Sequence, residues 1–255
     1  VNTVHPPSAS GQLPPDLDPR RLPAHVAVIM DGNGRWAEER GWPRFLGHRQ
    51  GVEALNDIVR CCKDWGVAAL TVYAFSTENW GRPVQEVNFL MTLFHEVLER
   101  ELRNLVAEGV QLRFMGDLAP LPKTLRHFME EAMSATAHNQ AVHFNVAMNY
   151  GGRQEILHAV QAVAHRVEQG ELKAAAITEQ DLTEHLYTHP TPDPDLLIRS
   201  SGELRLSNFL LWQLAYTELY VADVFWPDFD RACFHKALLH YQTRKRRFGR
   251  LDLPT

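Results

Sequence analysis

Short β-branched runs recur along this chain, each ending in a polar or glycine-rich turn, with stretches of helical periodicity between them. His25-Val-Ala-Val-Ile-Met30 runs into Asp31-Gly-Asn-Gly34, and Ala69-Leu-Thr-Val-Tyr-Ala-Phe75 runs into Ser76. Gln111–Met115 ends at Gly116-Asp117, Val142–Met148 at Asn149-Tyr-Gly-Gly152, and Asp195–Ile198 at Arg199, while Leu219–Ala222 reads as a sixth strand. Continuous apolar runs bounded by turns are the pattern of strands covered on both faces. Between the second and third runs, Val87, Leu90, Met91, Phe94, Val97, Leu98, Leu102 and Leu105 fall at helical spacing. Pro83 suits a first helical turn, so the spacing predicts a helix from about Pro83 to Glu108. Strands alternating with helices predict one α/β domain: a mainly parallel central β-sheet of about six strands flanked by helices. In such sheets ligands bind outside the carboxyl ends of the strands, which makes the strand-end residues candidate site residues.

Composition narrows the classes further. The chain has 255 residues, 45% hydrophobic and 22% charged, the proportions of a globular domain. Its first 23 residues hold six of the 15 prolines and few large apolar groups. Such a segment cannot bury enough surface to offset its ordering entropy, so residues 1–23 are expected to be a disordered tail before a single domain spanning 24–255. A formal charge of −5 argues against a dedicated nucleic-acid binder. No apolar stretch approaches the ~18–20 residues of a membrane span. Cys61, Cys62 and Cys233 match neither a zinc nor a redox spacing and read as buried thiols of a cytoplasmic protein.

The chemistry gathers at the strand ends. In Met30-Asp-Gly-Asn-Gly-Arg-Trp36, Gly32 and Gly34 permit close backbone approach, and a helix start plus the Arg35 guanidinium make an anion site. The spacing is neither G-x-G-x-x-G nor G-x-x-x-x-G-K-[ST]. Asp31 would repel a phosphate there unless a cation bridges them, and Mg²⁺ typically joins one or two carboxylates to substrate phosphates. An ordinary glycine turn with Asp31 as a helix cap uses the same residues, and the pattern alone leaves both readings open. Arg44-Phe-Leu-Gly-His48 adds a guanidinium and an imidazole, and Ser76-Thr-Glu-Asn-Trp-Gly-Arg82 sets hydroxyl, amide, indole and guanidinium past a strand end. Arg199, Arg205 and Ser207 fall within nine residues and suit a diphosphate, although loop arginines at a surface would look the same. The residues alone therefore indicate two anion sites, one with a metal, in an acidic protein. Arg244-Lys-Arg-Arg-Phe-Gly-Arg250 puts five positive charges into seven residues. It reads as an anionic-lipid or nucleic-acid patch, or as a solvated helix end.

These segments carry a family resemblance. H-V-A-V-I-M-D-G-N-G-R-W from His25, R-F-L-G-H-R-Q-G from Arg44 and Y-A-F-S-T-E-N-W-G-R-P from Tyr73 resemble the cis-prenyltransferases, the family of the undecaprenyl diphosphate synthases. N-Y-G-G-R from Asn149, D-L-L-I-R-S-S-G-E-L-R-L-S-N-F-L-L-W-Q from Asp195, Y-T-E-L-Y from Tyr216 and W-P-D-F from Trp226 continue it in order, over roughly residues 24–249. The resemblance implies Mg²⁺-dependent condensation of isopentenyl diphosphate with an allylic diphosphate, usually farnesyl diphosphate. The product would be a poly-cis-polyprenyl diphosphate, undecaprenyl diphosphate being the expected one, a lipid-carrier precursor for cell-wall polysaccharide.

By the same resemblance, Asp31 is the catalytic carboxylate that binds Mg²⁺. Gly32, Asn33, Gly34 and Arg35 cradle the allylic diphosphate with Arg44 and His48, and Trp36 packs beside the substrate. Ser76, Thr77, Glu78, Trp80 and Arg82 line the site, with Asn79 as proton acceptor; an amide is a weak base, so a pyrophosphate oxygen is the alternative acceptor. Arg199, Arg205, Leu206 and Ser207 hold isopentenyl diphosphate, and Glu218 is a second metal carboxylate. Leu204 stands where some relatives carry a metal-assisting His. Leu90, Met91, Phe94 and Leu98 would line a tunnel for the growing chain, with Val142 at its floor. The family is homodimeric, its C-terminal segment near the partner's site. The expected partners are thus the two diphosphates, a second copy and a peripheral membrane contact for product release, from a cytoplasmic location, with no nucleic acid. Trans-prenyltransferases are all-helical and need D-D-x-x-D, which is missing; a non-catalytic subunit would have lost Asp31, Arg35, Arg199 and Arg205.

Overall fold

The computed structural model describes residues 11–244. The strands are β1 His25–Ile29, β2 Ala69–Ser76, β3 Val110–Met115, β4 Val142–Tyr150, β5 Leu196–Arg199 and β6 Glu218–Val221. The helices are α1 Asn33–Glu38, α2 Arg44–Trp65, α3 Val84–Ala107, α4 Lys123–Thr136, α5 Gly152–Glu168, α6 Glu179–Thr183 and α7 Arg231–Thr243. All six strands form one parallel sheet in the order β3-β4-β2-β1-β5-β6. This is the α/β sheet expected from the alternating runs, and α3 falls within a residue of its predicted limits.

The strand order places β1 at the centre, with the chain building outward first through β2 and later through β5. The crevice at that reversal lies outside the carboxyl ends of β1 and β5, where Asp31 and Arg199 stand. One sheet face carries the larger core, in which Val26, Val28, Leu70, Val72, Phe144 and Val146 meet residues of α2, α3, α4 and α7. The other face is covered by a smaller cluster in which Phe209, Leu210 and Leu214 pack on Ala27, Ile29 and Ala147.

Glycines set the contact between α1 and α2. A Cβ on Gly47 would lie 1.8 Å from the Asn33 carbonyl oxygen, and one on Gly51 would lie 2.5 Å from Asn33 Oδ1. The two helices therefore approach as closely as their backbones allow. Trp226 donates from Nε1 to the Gly51 carbonyl at 2.9 Å and closes the same junction.

The disordered-tail expectation does not hold for residues 11–23. Leu17 is 4% exposed and joins the main core, and Gln242 of α7 accepts from the Asp18 N–H and donates to the Asp18 carbonyl. One well-placed leucine and a paired amide outweigh the proline content that suggested mobility. Residues 1–10, and the basic run beyond Arg244, lie outside the described residues. Cys61 and Cys62 are buried and Cys233 is partly exposed, all three free.

At the amino ends of the strands, the buried His25 ring bridges the Pro192 carbonyl at 2.6 Å and Thr71 Oγ1 at 2.7 Å, and Asn145 also donates to Thr71. Burial pushes His25 down to about 4, against the opposing effects of the Pro192 carbonyl and Asp195. The unfolded chain then binds the extra proton between pH 6.5 and about 4, so stability is lost as pH falls through that window. Urea midpoints are expected to drop from pH 7 to pH 5, and His25→Gln should flatten that slope. Leu17→Ala should destabilise the protein by about 2–3 kcal/mol in urea unfolding, whereas an unattached tail would show no change.

Candidate active site

Each strand of the central trio delivers polar groups to one cleft. Gly32, at φ 97°, turns the chain after β1; a Cβ there would meet Ser201 Oγ at 2.2 Å and Phe225 at 2.5 Å, so only glycine fits. The turn is locked from β5, because Ser200 Oγ accepts the Asp31 N–H at 2.9 Å and donates to the Asp31 carbonyl at 2.8 Å. The Asp31 side chain then faces three guanidinium groups. Arg199 donates to Oδ2 at 2.7 Å, Arg35 donates to Oδ1 at 3.0 Å, and Arg205 approaches within 3.7 Å. Burial raises the Asp31 carboxyl, but the hydrogen bond and charge of Arg199, with Arg35, overcome it and hold the group below its ordinary value.

Arg199 is the most enclosed of these cations, its side chain 6% exposed. It also donates to Ser207 Oγ at 2.9 Å and to the Arg205 carbonyl. Glu203 joins Arg35, at 2.9 Å, to Arg205. Arg205 itself is more than half exposed. A second cationic group lies across the cleft. Glu86, in the first turn of α3, accepts from Arg82 at 3.0 Å and Arg44 at 3.4 Å and lies 3.5 Å from His48 Nε2. Arg44 also pairs with Glu38 at 2.9 Å. Burial, then the charge of Arg82, pushes His48 down to about 4 despite Glu86, so its imidazole is neutral near pH 7.

Asp31, Asn33, His48, Ser76, Glu78, Asn79, Arg82, Arg199 and Ser207 line one cleft of about 540 Å³. Arg35, Arg44 and Arg205 reach it through the carboxylates described above. Asn79 Oδ1 accepts the Ser76 N–H at 3.1 Å in a capping box, so its amide oxygen is already engaged and its NH₂ is a donor. Thr77 donates to Glu78, and Asn208 donates to the other Glu78 oxygen. A Cβ on Gly34 would lie 2.4 Å from the Arg44 guanidinium carbon, so a side chain there would push that guanidinium from its place.

Other expected residues stand apart. Trp36 is buried, donates to Asp228 at 2.7 Å and faces a groove between α2 and α3 rather than the cleft. Trp80 donates to Asn149 at 2.7 Å and packs edge-on against Phe75. Leu206 packs on the second sheet face and, with the exposed Leu204, lines a depression beside β6 that Arg199, Glu203 and Arg205 also line. Glu218 is not brought to Asp31 within this chain. It opens β6 opposite Leu196, three residues before the level of Arg199, about 10 Å towards the amino ends of the strands. The strand read from sequence as Leu219–Ala222 already puts Glu218 at its amino end; the metal role came from the family resemblance alone.

Glu86, Glu203 and Asn208 are functional groups that sequence reading missed. Glu203 lies between Arg199 and Arg205, and Glu86 follows Arg82 by one helical turn, which is the signal that could have found them. Beneath the cleft, buried Glu155 accepts from the Tyr150 hydroxyl, from Gln213 at 3.1 Å and from the Tyr187 N–H at 2.8 Å. Burial raises its carboxyl despite these donors. Asn208 is held at the start of α5, its carbonyl accepting the Gly152 N–H at 2.6 Å and its Oδ1 the Arg153 N–H at 2.9 Å.

A metal would find hard oxygen donors here in small number. Asp31 supplies a carboxylate, and Asn33 Oδ1 is a buried oxygen with no hydrogen-bond partner. That set fits Mg²⁺ bound mainly through substrate phosphates and water. Among the described residues no cluster of three His, Cys, Asp or Glu side chains forms an all-protein metal site.

The cleft opens inward. Met30, Asn33, His48, Ala74 and Leu90 line both it and an apolar cavity of about 140 Å³ between the sheet, α2 and α3. Leu90, Phe94 and Leu98 of α3 line this cavity, as do Phe144, Val146 and Met148 of β4. Met91 is buried without lining it. Val142 is fully buried on the same strand face as Phe144, one alternation beyond it.

Comparison with known proteins agrees with this geometry. The family described as "Putative undecaprenyl diphosphate synthase" matches residues 29–249. An isoprenyl transferase of Prochlorococcus marinus is 55% identical over 240 residues, 94% of this chain and 90% of that protein. A ditrans,polycis-undecaprenyl-diphosphate synthase of Legionella pneumophila, named as (2E,6E)-farnesyl-diphosphate specific, is 49% identical over 91% of this chain and 98% of its own. Lavandulyl diphosphate synthase from Lavandula x intermedia, solved with dimethylallyl diphosphate, superimposes with a TM-score of 0.88 at 38% identity, covering 90% of this chain and 99% of that one. A matched sequence from β1 past α7, and a solved relative with the same sheet, leave one conclusion: this chain belongs to the undecaprenyl diphosphate synthase family of cis-type prenyltransferases.

Proposed function

We propose that the protein condenses isopentenyl diphosphate, repeatedly and with Mg²⁺, onto an allylic diphosphate, farnesyl diphosphate being the favoured starter, to give undecaprenyl diphosphate for cell-wall carrier lipid. One observation carries this reading: a polar cleft edged by arginines that are held on carboxylates shares five lining residues with an apolar cavity, the shape of a site for a charged head and a hydrocarbon tail. The Legionella relative's name supports the starter and the product class.

In this mechanism the allylic head lies over Gly32–Arg35, where backbone N–H groups at the start of α1 and the Arg35 fork face it. Its hydrocarbon tail enters past Met30 and Leu90. Arg199, Arg205 and Ser207 hold the isopentenyl head, and the neutral His48 offers a hydrogen bond without adding charge. The guanidinium groups now on Asp31 and Glu203 turn to phosphate oxygens and stabilise charge that develops as the allylic C–O bond breaks. Asp31, with Asn33 nearby, would hold Mg²⁺, which would supply further charge stabilisation on the departing diphosphate. With the Asn79 oxygen occupied by the Ser76 N–H, a diphosphate oxygen is the better proton acceptor. The enzyme acts as a homodimer: exposed Tyr216, Leu219 and Leu204 around β6 form an apolar face suited to a second copy, which Glu218 would need to contribute to a neighbouring metal. No helix among the described residues is long and apolar enough to cross a membrane.

The test is incubation with Mg²⁺, radiolabelled isopentenyl diphosphate and a panel of allylic diphosphates, followed by sizing of the dephosphorylated products. A long polyprenol from farnesyl diphosphate is expected, and no Mg²⁺-dependent product from any starter would sink the reading. Asp31→Ala should lower kcat on the order of 10²–10³-fold, the scale of removing a key transition-state charge partner. Phe144→Ala, which opens the cavity wall, should lengthen the product, whereas Val142→Ala should shift its length less.

A further inference from the structure

The α2–α3 wall separates two spaces. Inside is the apolar cavity; outside, a surface groove runs between the same helices and is lined by Trp36, Trp42, Leu46 and Gln50. Val52, Leu93 and Val97 line both. One layer of aliphatic side chains therefore divides the interior from the surface along this seam. Over it, on the solvent side, two ion pairs bridge the helices: Arg49 to Glu96 at 3.4 Å and Arg100 to Glu53 at 2.9 Å. All four side chains are 52–57% exposed, and exposed pairs hold weakly.

The cavity is too small for its task as it stands. At about 140 Å³ it compares with the ~150 Å³ engineered cavity that accepts a single benzene. A tail of many isoprene units must displace a wall. The sheet wall is a hydrogen-bonded ladder of β2 and β4, and the far end is packed by Leu112, Leu125 and Met129, all nearly fully buried. At this point the seam is three aliphatic side chains and the two surface pairs, with the Phe45–Phe89 ring pair beside them at 5.4 Å. Beyond it, the exposed faces of Trp42 and Leu46 continue the apolar lining outward.

We propose that the α2–α3 seam is a lateral portal for the hydrocarbon tail of the product. The elongating tail displaces Val52, Leu93 and Val97 and lies in the groove against Trp42 and Leu46, while its diphosphate stays in the cleft. The Arg49–Glu96 and Glu53–Arg100 pairs latch the portal, and the tail leaves sideways rather than back through the mouth. This rests on the polyprenyl reading above.

The experiment bridges the latch. A Glu53→Cys/Arg100→Cys variant is joined by a short bis-maleimide, with each single variant treated identically as the control for Cys233. The bridge is verified by mass. Each enzyme first makes radiolabelled product, so failure of the underlying function shows as no product in wild type. Release of the preformed product into phosphatidylcholine vesicles is then timed, and its length is measured. The bridged enzyme is expected to release product at least about threefold more slowly than the unbridged variant, or to stop at shorter chains, as a gated release step predicts. Product of unchanged length, released at less than about a threefold difference, would overturn the portal.

Discussion

Everything in the cleft depends on how three arginines are kept beside one another in a half-buried space. Arg199, Arg35 and Arg205 converge on Asp31, and Glu203 ties two of them from the far side. Unpaired, such cations would repel one another and bear the cost of lost hydration. With two carboxylates among them they are held in place before any substrate arrives. A diphosphate then exchanges with carboxylate partners that have already fixed the forks, which is how preorganised charge stabilises a leaving group without reorganising at the moment of reaction. Glu86 does the same for Arg82 and Arg44 on the other side. The net charge of −5 conceals this arrangement, because each of these arginines is offset by a carboxylate beside it.

The second requirement is that polar and apolar spaces meet without a barrier. Met30, Asn33, His48, Ala74 and Leu90 form that boundary, contributed by β1, α1, α2, β2 and α3 or the residues adjoining them. His48 suits it because burial keeps the ring uncharged, so it can face hydrocarbon on one side and a diphosphate on the other. The fold supplies the geometry: the cleft sits at the strand ends, and the cavity follows the sheet face down between two long helices.

Much of this was legible in the sequence. The six strand runs, α3 and the strand-end positions of Asp31, Ser76 and Arg199 follow from apolar periodicity and turn chemistry, which are local properties. What was not legible depends on tertiary placement. The proline content before His25 suggested mobility, yet Leu17 reaches the core and Gln242, more than 200 residues away in the chain, satisfies Asp18. Glu218 was expected, by resemblance, to be a second metal carboxylate; it opens β6 at the amino end of the strand and does not meet Asp31 within this chain. Trp36 was expected beside the substrate by family resemblance, and its indole N–H donates to Asp228. In each case the partner lies far away in sequence, where no spacing rule reaches.

The missing side chains at Gly47 and Gly51 decide how the cavity can enlarge. They seat α2 against the backbone and amide of Asn33, with Trp226 pinned to Gly51 beneath. Sliding α2 outward would pull the diphosphate cradle with it. The wall that carries the substrate's head is thus the stationary jaw, and α3, tied to it by side chains alone, is the jaw that swings.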